Sequence, residues 1–516
     1  MSAGHSEAAE RDRGAWRSQL ALPIVGITLM AVLLRLPSLL DAFWLDEIWS
    51  LELAEQAGSA ARVFTALHHD NNHYLNTLYL LALGPEAAWP LFRLPALLAG
   101  AGVVYLAGRL GAREGRAEGV LAAFLLAVSY PFVLYSSEAR GYGLVVLLSL
   151  AAYATLARHL EDRRFATAGA FAATASLGFL SHLTFLTVYA PLLAWSAFRI
   201  VTTRRGLRET VARLTACHLL PVATVAVLFF VDLRHLRAGG GPDLPLLRGW
   251  LDAYVYSLGA PRTGLLGLVV VVGGAAAVLL ELEALRRRRA DEWIFFLFVL
   301  AAPVGLLVAT GTGYAPPRYF LASLPFALLL LARTLARGFR TAPAGRLAAG
   351  ALLLTFGVGN GWRIGRFLAE GRGAYREAVE HMAGHTSAAL IRVGSDHDFR
   401  NEKVLHYYAR FLPAGKTLRY VTAGERPSAP PEWYLIHDLE DDFRPEVRIA
   451  IASGTGYALQ AVFRKYGLSG WNWAVYRREE RGMGRGPARG GRSESASYSP
   501  SPVGPAGVAV RSRARR

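Results

Sequence analysis

The chain has 516 residues, of which 53% are hydrophobic, and its mean hydropathy is +0.28. This composition excludes an ordinary soluble protein, because the apolar residues come in blocks of roughly 20, the length of a membrane-crossing helix. The net charge of +17 would suit a nucleic-acid-binding protein. However, the arginines lie in the loops between apolar blocks, which is the pattern of a membrane protein. We therefore predict that the partner is a lipid bilayer and not a nucleic acid.

About eleven apolar blocks predict membrane-spanning helices, since a chain in lipid must satisfy its backbone groups internally. They lie at 20–39, 88–108, 117–134, 141–157, 165–181, 184–198, 214–231, 263–285, 293–310, 320–337 and 345–362. The first block is too long for a cleaved signal peptide and is followed by further spans, so it is predicted to remain in the protein.

The arginines between these blocks predict an orientation. Twenty-two lie in one alternate set of segments, from Arg11 to Arg346, and seven lie in the short loops of the other set. Positive charge favours the cytoplasmic side, so the N-terminus is predicted to be cytoplasmic. With an odd number of spans, the C-terminal region is then predicted to be extracytoplasmic. The predicted location is the plasma (inner) membrane.

Four regions follow from composition. They are a cytoplasmic arm (1–19), a transmembrane domain (20–362), a polar extracytoplasmic domain (363–480) and a disordered tail rich in Arg, Gly, Ser and Pro (481–516). In the third region, AYREAVEHM, NEKVLHYYARFL and GYALQAVFRKYG are typical of helices, and AALIRV, EWYLIHD and WAVYRR are typical of strands. The predicted fold is an α-helical polytopic membrane protein with a small C-terminal α/β domain.

Polar residues gather on the predicted outer loops. These are FWLDEIWSL (43–51), HHDNNHY (68–74), YSSEARGYG (135–143), SHLT (181–184) and GTGYAPPRYF (311–320). Ionisable residues at membrane depth are costly and are candidates for function. We therefore predict an active site or binding cleft at the outer face.

Each motif also has a second interpretation. The acids at 46 and 47 either begin an interfacial helix from Ile48 toward Gln56 or supply a general base. HHDNNHY suits a metal or sugar hydroxyls, so no cofactor is certain and a divalent metal stays open. The Glu138–Arg140 segment suits either an ion pair at the membrane interface or part of an active site. Arg318 suits a helix anchor or a phosphate ligand.

The order of these motifs resembles the GT-C membrane glycosyltransferases, in particular protein O-mannosyltransferases, the aminoarabinose transferase of lipid A and their bacterial relatives. The resemblance is carried by RLPSLL and FWLDEIWS, then FRLPALLAGAGVVYLAGRL, YSSEARGYGLVVLLSL and PPRYFLASLP, and it covers about 20–340. It departs from the family where many relatives have a His-Pro pair, because here His73 is followed by Tyr74.

The resemblance implies transfer of a sugar from a polyprenyl-phosphate carrier to an acceptor hydroxyl outside the cytoplasm. Attack of a base-activated hydroxyl opposite the leaving phosphate predicts inversion, and the acceptor is a protein, a lipid or a cell-envelope glycan. The resemblance also implies catalytic carboxylates at Asp46 and Glu47. The residues predicted to bind substrate are His73, Tyr74, Glu138, Arg140, His182, Arg318 and Tyr319. A transporter or flippase of lipid-linked sugars is the competing class and predicts polar residues through the depth of many spans. The strongly apolar spans favour the enzyme.

Overall fold

A computed structural model of the chain describes residues 21–203, 206–236, 244–311, 315–451 and 454–479. The predicted arm at 1–19 and the predicted tail at 481–516 lie outside the described residues. Each of the eleven predicted apolar blocks contains a helix. The helices of this part are α1 (Ala21–Arg35), α2 (Leu45–Ala57), α3 (Ala60–Thr65), α4 (Tyr74–Leu83), α5 (Trp89–Gly111), α6 (Arg116–Val128), α7 (Tyr130–Tyr135), α8 (Tyr142–Asp162), α9 (Phe165–Ser181), α10 (Leu186–Thr202), α11 (Leu207–Val231), α12 (Leu246–Leu258), α13 (Gly264–Arg287), α14 (Glu292–Thr310), α15 (Leu324–Phe339) and α16 (Pro343–Glu370).

The chain is a multi-pass membrane protein. Among the described residues, six helices are long and apolar enough to cross a bilayer, namely α5, α8, α10, α11, α13 and α14. Helices α1, α4 and α9 are apolar but shorter. Exposed apolar side chains such as Phe230 on α11 and Leu265 on α13 suit contact with lipid. The count of eleven spans stays a prediction.

Ion pairs join the arginine-rich loops at one end of the helical bundle. Arg340 at the end of α15 binds Glu118 of α6 at 2.7 Å, and Arg333 binds Glu114 at 3.2 Å. The loops that carry Asp46, Arg140 and Arg318 meet one another instead. The opposite placement of the two groups of loops, the difference in charge between the two ends and the orientation in the membrane stay predictions.

The last helix of the bundle extends beyond the predicted domain border. Helix α16 continues past residue 362 to Glu370. Polar residues near the border are buried and bind the bundle, since the Asn360 side chain accepts a hydrogen bond from the backbone N–H of Tyr130 at 2.8 Å. The apolar run ends where these polar contacts begin, so composition places the border too early.

The C-terminal region is a mixed six-stranded sheet with two helices. Its elements are α17 (Tyr375–Gly384), β1 (Leu390–Ser395), α18 (Asp398–Ala409), β2 (Thr417–Tyr420), β3 (Trp433–Asp438), β4 (Arg448–Ala450), β5 (Gly456–Phe463) and β6 (Asn472–Arg478). The strand order is β2-β1-β3-β6-β5-β4. The first three strands of this order are parallel, and the remaining pairings are antiparallel.

One secondary-structure prediction in this domain is wrong. GYALQAVFRKYG was predicted as a helix, but its first eight residues form strand β5. The strand pairs with β6 along one side and with β4 along the other. These ladders satisfy its backbone groups, and that tertiary pairing outweighs the weak helical preference of the segment.

The C-terminal domain packs on the loops of the helical bundle. Helix α18 lies against α2, and the Tyr408 hydroxyl donates to the Phe43 carbonyl at 2.8 Å. Arg372, between α16 and α17, is buried and binds Asp41 at 3.1 Å and the Ser137 carbonyl at 3.0 Å. These contacts hold the domain over one end of the bundle, where a cavity lies between the two.

Candidate active site

A cavity of about 510 Å³ lies where the loops of the bundle meet the C-terminal domain. Several predicted site residues line it, namely Asp46, His73, Tyr74, Arg140, His182, Arg318 and Tyr319. The C-terminal domain contributes Arg400, Glu440, Asp441, Lys465 and Trp471. An apolar part of the wall comes from Phe179 on α9, Leu183 just before α10, and Pro303, Leu306 and Leu307 on α14. The cavity wall therefore has both polar and apolar parts.

Two arginines from distant parts of the chain converge on Asp46. Nη1 of Arg140 lies 2.9 Å from Oδ2 of Asp46, and Nη1 of Arg318 lies 3.7 Å from the same oxygen. Arg140 is almost fully buried, whereas the other two side chains keep 14–17% of their surface exposed. The structure thus brings together an acid of the first loop, an arginine of the 135–143 turn and an arginine of the PPRYF segment.

Local helix geometry positions Asp46. Helix α2 begins at Leu45, three residues earlier than expected, so both acids lie in its first turn. The N-cap position is Trp44, and no side chain caps the helix. The acids therefore complement the positive end of the helix dipole rather than serve as the cap. Asp46 points toward the cavity from this turn.

Asn71, which the sequence analysis did not single out, connects these groups. Its amide nitrogen donates to the Asp46 carbonyl at 3.0 Å and to the Ser50 hydroxyl at 3.1 Å. Its amide oxygen accepts a hydrogen bond from Nη2 of Arg140 at 2.6 Å. A side-chain amide can both donate and accept, so Asn71 fixes Arg140 relative to α2. The HHDNNHY motif indicates that polar side chains lie here, but it does not indicate that Asn71 positions Arg140.

Glu47 does not line the cavity, unlike its neighbour in sequence. Its two carboxylate oxygens accept hydrogen bonds from Nε and Nη2 of Arg93 on α5, both at 2.7 Å, and the pair is fully buried. Oε1 also accepts from the Ala139 backbone N–H at 2.8 Å. Burial alone would raise the pKa of Glu47, but Arg93, together with Arg372 and the Ala139 N–H, outweighs burial and lowers this pKa. The geometry fits a structural ion pair better than the predicted catalytic role.

Glu138 is also buried away from the cavity. It accepts a hydrogen bond from the Ser469 hydroxyl at 2.5 Å and lies 3.5 Å from Nε of Arg372. Burial raises the pKa of Glu138 more than Arg372 lowers it. Instead of contacting the cavity as predicted, this residue joins the bundle to the loop before β6. Sequence spacing could not reveal this, because Ser469 and Arg372 lie more than 200 residues away.

The histidines of HHDNNHY separate in the structure. Nδ1 of His68 lies 2.6 Å from Asp232, and Nδ1 of His69 lies 3.0 Å from Asp70, while His73 packs against His182. Among the described residues, no group of three His, Cys, Asp or Glu side chains has an arrangement that would hold a metal ion. In this part of the chain, the contacts described for these histidines are ion pairs or hydrogen bonds for His68 and His69 and a ring contact for His73.

Two predicted tyrosines lie in different settings along the cavity wall. The Tyr74 hydroxyl donates to Asp232 at 2.5 Å, which connects the start of α4 to the end of α11. Tyr319 follows Arg318 in a short 3-10 turn, Pro317–Phe320, between α14 and α15. The two prolines before Arg318 fix the entry of the chain into this turn.

Asp70 is a further carboxylate of the cavity wall that the sequence analysis did not select. Burial raises the pKa of Asp70, and the negative charge of Asp46 acts in the same direction. Three indoles, those of Trp44, Trp49 and Trp471, also line the cavity. Carboxylates, guanidiniums and aromatic faces together suit a ligand that carries both an anionic group and hydroxyls.

No protein-family model matches the chain, and no curated protein matches it in sequence. Its fold is similar to that of the apo oligosaccharyltransferase of Archaeoglobus fulgidus, with a TM-score of 0.49 and 13% identity over 75% of this chain. The chain spans 64% of the length of that protein. It is also similar to ArnT from Cupriavidus metallidurans bound to undecaprenyl phosphate, with a TM-score of 0.47 and 13% identity over 92% of this chain and 99% of that one.

Proposed function

We propose that this chain is a membrane glycosyltransferase that moves a sugar from a polyprenyl-phosphate carrier to an acceptor hydroxyl on the extracytoplasmic side, with inversion. The observation that carries the proposal is the placement of Asp46 between Arg140 and Arg318 in the wall of the cavity. The resemblance of the surrounding motifs to GT-C transferases supports it.

The arginine pair provides the chemistry for the leaving group. When the bond between the anomeric carbon and the phosphate oxygen breaks, negative charge develops on the phosphate. A guanidinium binds phosphate oxygens with good geometry and stays charged, so Arg140 and Arg318 stabilise that charge. The released polyprenyl phosphate is a good leaving group and requires no general acid.

Asp46 provides the chemistry for the attacking group. An acceptor hydroxyl is a weak nucleophile until a base removes its proton. In the proposed step, the hydroxyl oxygen forms a bond to the anomeric carbon, opposite the phosphate, while its proton passes to Asp46. Attack from the opposite face inverts the anomeric centre, as water does in inverting glycosidases. Binding of the phosphate to the arginines would release Asp46 from them for this task.

The apolar part of the cavity suits the carrier lipid. Phe179, Leu183, Leu306 and Leu307 line this part, on or next to the apolar helices α9, α10 and α14. A prenyl chain bound there would leave its phosphate free to reach the arginines of the same cavity. The arginine-rich loops at the far end of the bundle support a cytoplasmic position for that end, and hence an extracytoplasmic site.

Mass analysis of cell-envelope glycans and glycolipids tests the proposal in the cell. A deletion strain should lack one sugar substituent, and the wild-type gene should restore it, whereas Asp46→Asn should not. The matched control is Asp252→Asn, since Asp252 also lines the cavity but lies 3.7 Å from Arg262, away from the Asp46 group. A flippase without catalysis would predict that Asp46→Asn restores the substituent as well as the wild type does.

A further inference from the structure

Two histidines from separate segments lie against each other in the cavity wall. His73 precedes α4 and His182 lies in the break between α9 and α10, and their ring centroids are 4.5 Å apart. Both are nine-tenths buried or more. The Tyr142 ring lies 4.6 Å from that of His182 and 4.8 Å from the Arg140 guanidinium. The pair is therefore next to the arginine that binds Asp46.

Backbone amides fix the protonation of both rings. The Gly141 N–H donates to Nδ1 of His73 at 2.9 Å, and the Thr184 N–H donates to Nδ1 of His182 at 3.1 Å. A ring nitrogen that accepts a hydrogen bond carries no proton, so the proton of each neutral ring is on Nε2. Protonating Nδ1 would set two donors against each other. Each histidine is thus an uncharged ring with an Nε2–H donor.

A glycine permits the first of these contacts. A Cβ on Gly141 would lie 2.2 Å from the Ser181 carbonyl oxygen and 3.0 Å from the Cβ of His73. Any larger residue would therefore separate the 135–143 turn from His73. This close approach explains why glycine follows Arg140 in the EARGYG stretch. Arg140 faces Asp46, and the backbone of Gly141 binds His73.

A purely structural role, in which the histidines hold the loops together, explains why Nδ1 of each ring accepts a hydrogen bond. It does not explain Nε2 on the opposite side of each ring. Among the described residues, Nε2 of His73 has no hydrogen-bond partner although the atom is buried. The hydrogen bonds of His182 within the same part of the chain all go to Nδ1. A buried donor without a partner is costly in free energy, which indicates that a ligand supplies the acceptor.

We infer that the Nε2–H groups of His73 and His182 donate hydrogen bonds to the phosphate oxygens of the prenyl-phosphate donor and complete the anion site of Arg140 and Arg318. The inference rests on the proposed function and specifies its donor site. An anionic oxygen is the strongest acceptor that such donors can meet. Uncharged donors also stabilise the phosphate without adding to the repulsion between the two guanidiniums.

Asparagine substitutions distinguish phosphate binding through Nε2–H from a structural role through Nδ1. In His73→Asn and His182→Asn, the amide oxygen replaces Nδ1 and keeps the acceptor for the backbone N–H, but no donor remains at the Nε2 position. Glutamine at the same positions places an N–H near Nε2. The measurement is the Kd of bare undecaprenyl phosphate for the full-length protein in nanodiscs, alongside the melting temperature of each variant.

We expect each asparagine variant to raise this Kd by about 10-fold or more, the usual effect of losing a hydrogen bond to a charged group, and glutamine to restore part of the affinity. Asparagine variants that melt and bind like the wild type would overturn the inference. If they fail to fold, a Gln variant that folds and has lost all affinity would also overturn it. A wild-type protein that binds no carrier would instead refute the proposed function.

Discussion

Both carboxylate oxygens of Glu47 are bound by the Arg93 guanidinium at 2.7 Å, whereas its neighbour Asp46 pairs with Arg140 in the cavity wall at 2.9 Å. Adjacent residues on a helix point about 100° apart, so one turn of α2 presents its two acids to different arginines. One acid anchors the first loop to α5, and the other is available to a ligand. The DE pair of the sequence thus has two separate roles.

Glu47→Gln should destabilise the protein strongly. The change leaves the Arg93 charge buried without its partner, a loss that typically costs about 3–5 kcal/mol. We expect a clear fall in melting temperature in detergent, while Asp46→Asn, at the partly exposed neighbouring site, should melt close to the wild type. A Glu47→Gln protein with normal stability but no transfer activity would instead favour the catalytic role predicted from the sequence.

Arg318→Ala should weaken binding of the carrier. Removing one guanidinium from the phosphate site should raise the Kd of undecaprenyl phosphate by about 10-fold, and added salt should reduce the difference. Arg262→Ala is the matched control, because Arg262 also lines the cavity but lies 3.3 Å from Glu440. Equal effects of the two substitutions would show that the site responds only to total charge.

Gly470→Ala should loosen the C-terminal domain. Gly470 has φ +77°, and a Cβ there would lie 1.6 Å from the Arg372 carbonyl oxygen. Gly415 has a similar φ of +83°, but nothing lies within 4 Å of its Cβ position. Gly415→Ala should therefore cost only the backbone strain, about 1–2 kcal/mol. Limited proteolysis should cleave the Gly470→Ala domain faster, and equal cleavage of both variants would contradict the packing described above.

Acid should destabilise the protein partly through His182. Burial, together with the charges of Arg140 and Arg318, lowers the pKa of His182 from its ordinary 6.5 to about 3. Between these values the unfolded chain binds a proton that the folded protein does not, so stability falls as pH falls below 6.5. Between about pH 7.5 and pH 5, the melting temperature of His182→Asn should fall less than that of the wild type. If the melting temperatures of the two proteins fell equally, the folded protein would accommodate a charged His182 ring.

Hydropathy and loop charge are sufficient to predict much of the architecture. The apolar blocks predict where helices form, because the bilayer requires about 20 apolar residues per span and internal hydrogen bonds. Alternation of the loops predicts that segments near residues 46, 140 and 318 share one end of the bundle. The structure places Asp46, Arg140 and Arg318 together there.

Long-range partners are what the sequence does not reveal. Arg93 lies within an apolar block, and Arg372 follows the last helix, so nothing local indicates that they bind Glu47 and Glu138. The same applies to β5, whose strand conformation depends on β4 and β6 on either side. These features arise from tertiary packing, which outweighs local preference.

The most direct test of the account is transfer by the purified protein. Full-length wild type, Asp46→Asn and Asp252→Asn would be placed in nanodiscs with a radiolabelled polyprenyl-phosphate sugar and an envelope extract as acceptor. The account predicts that label leaves the carrier and enters the acceptor with the wild type and Asp252→Asn, and that Asp46→Asn transfers at least 100-fold more slowly, the usual contribution of a general base. Transfer by Asp46→Asn at the wild-type rate would contradict it.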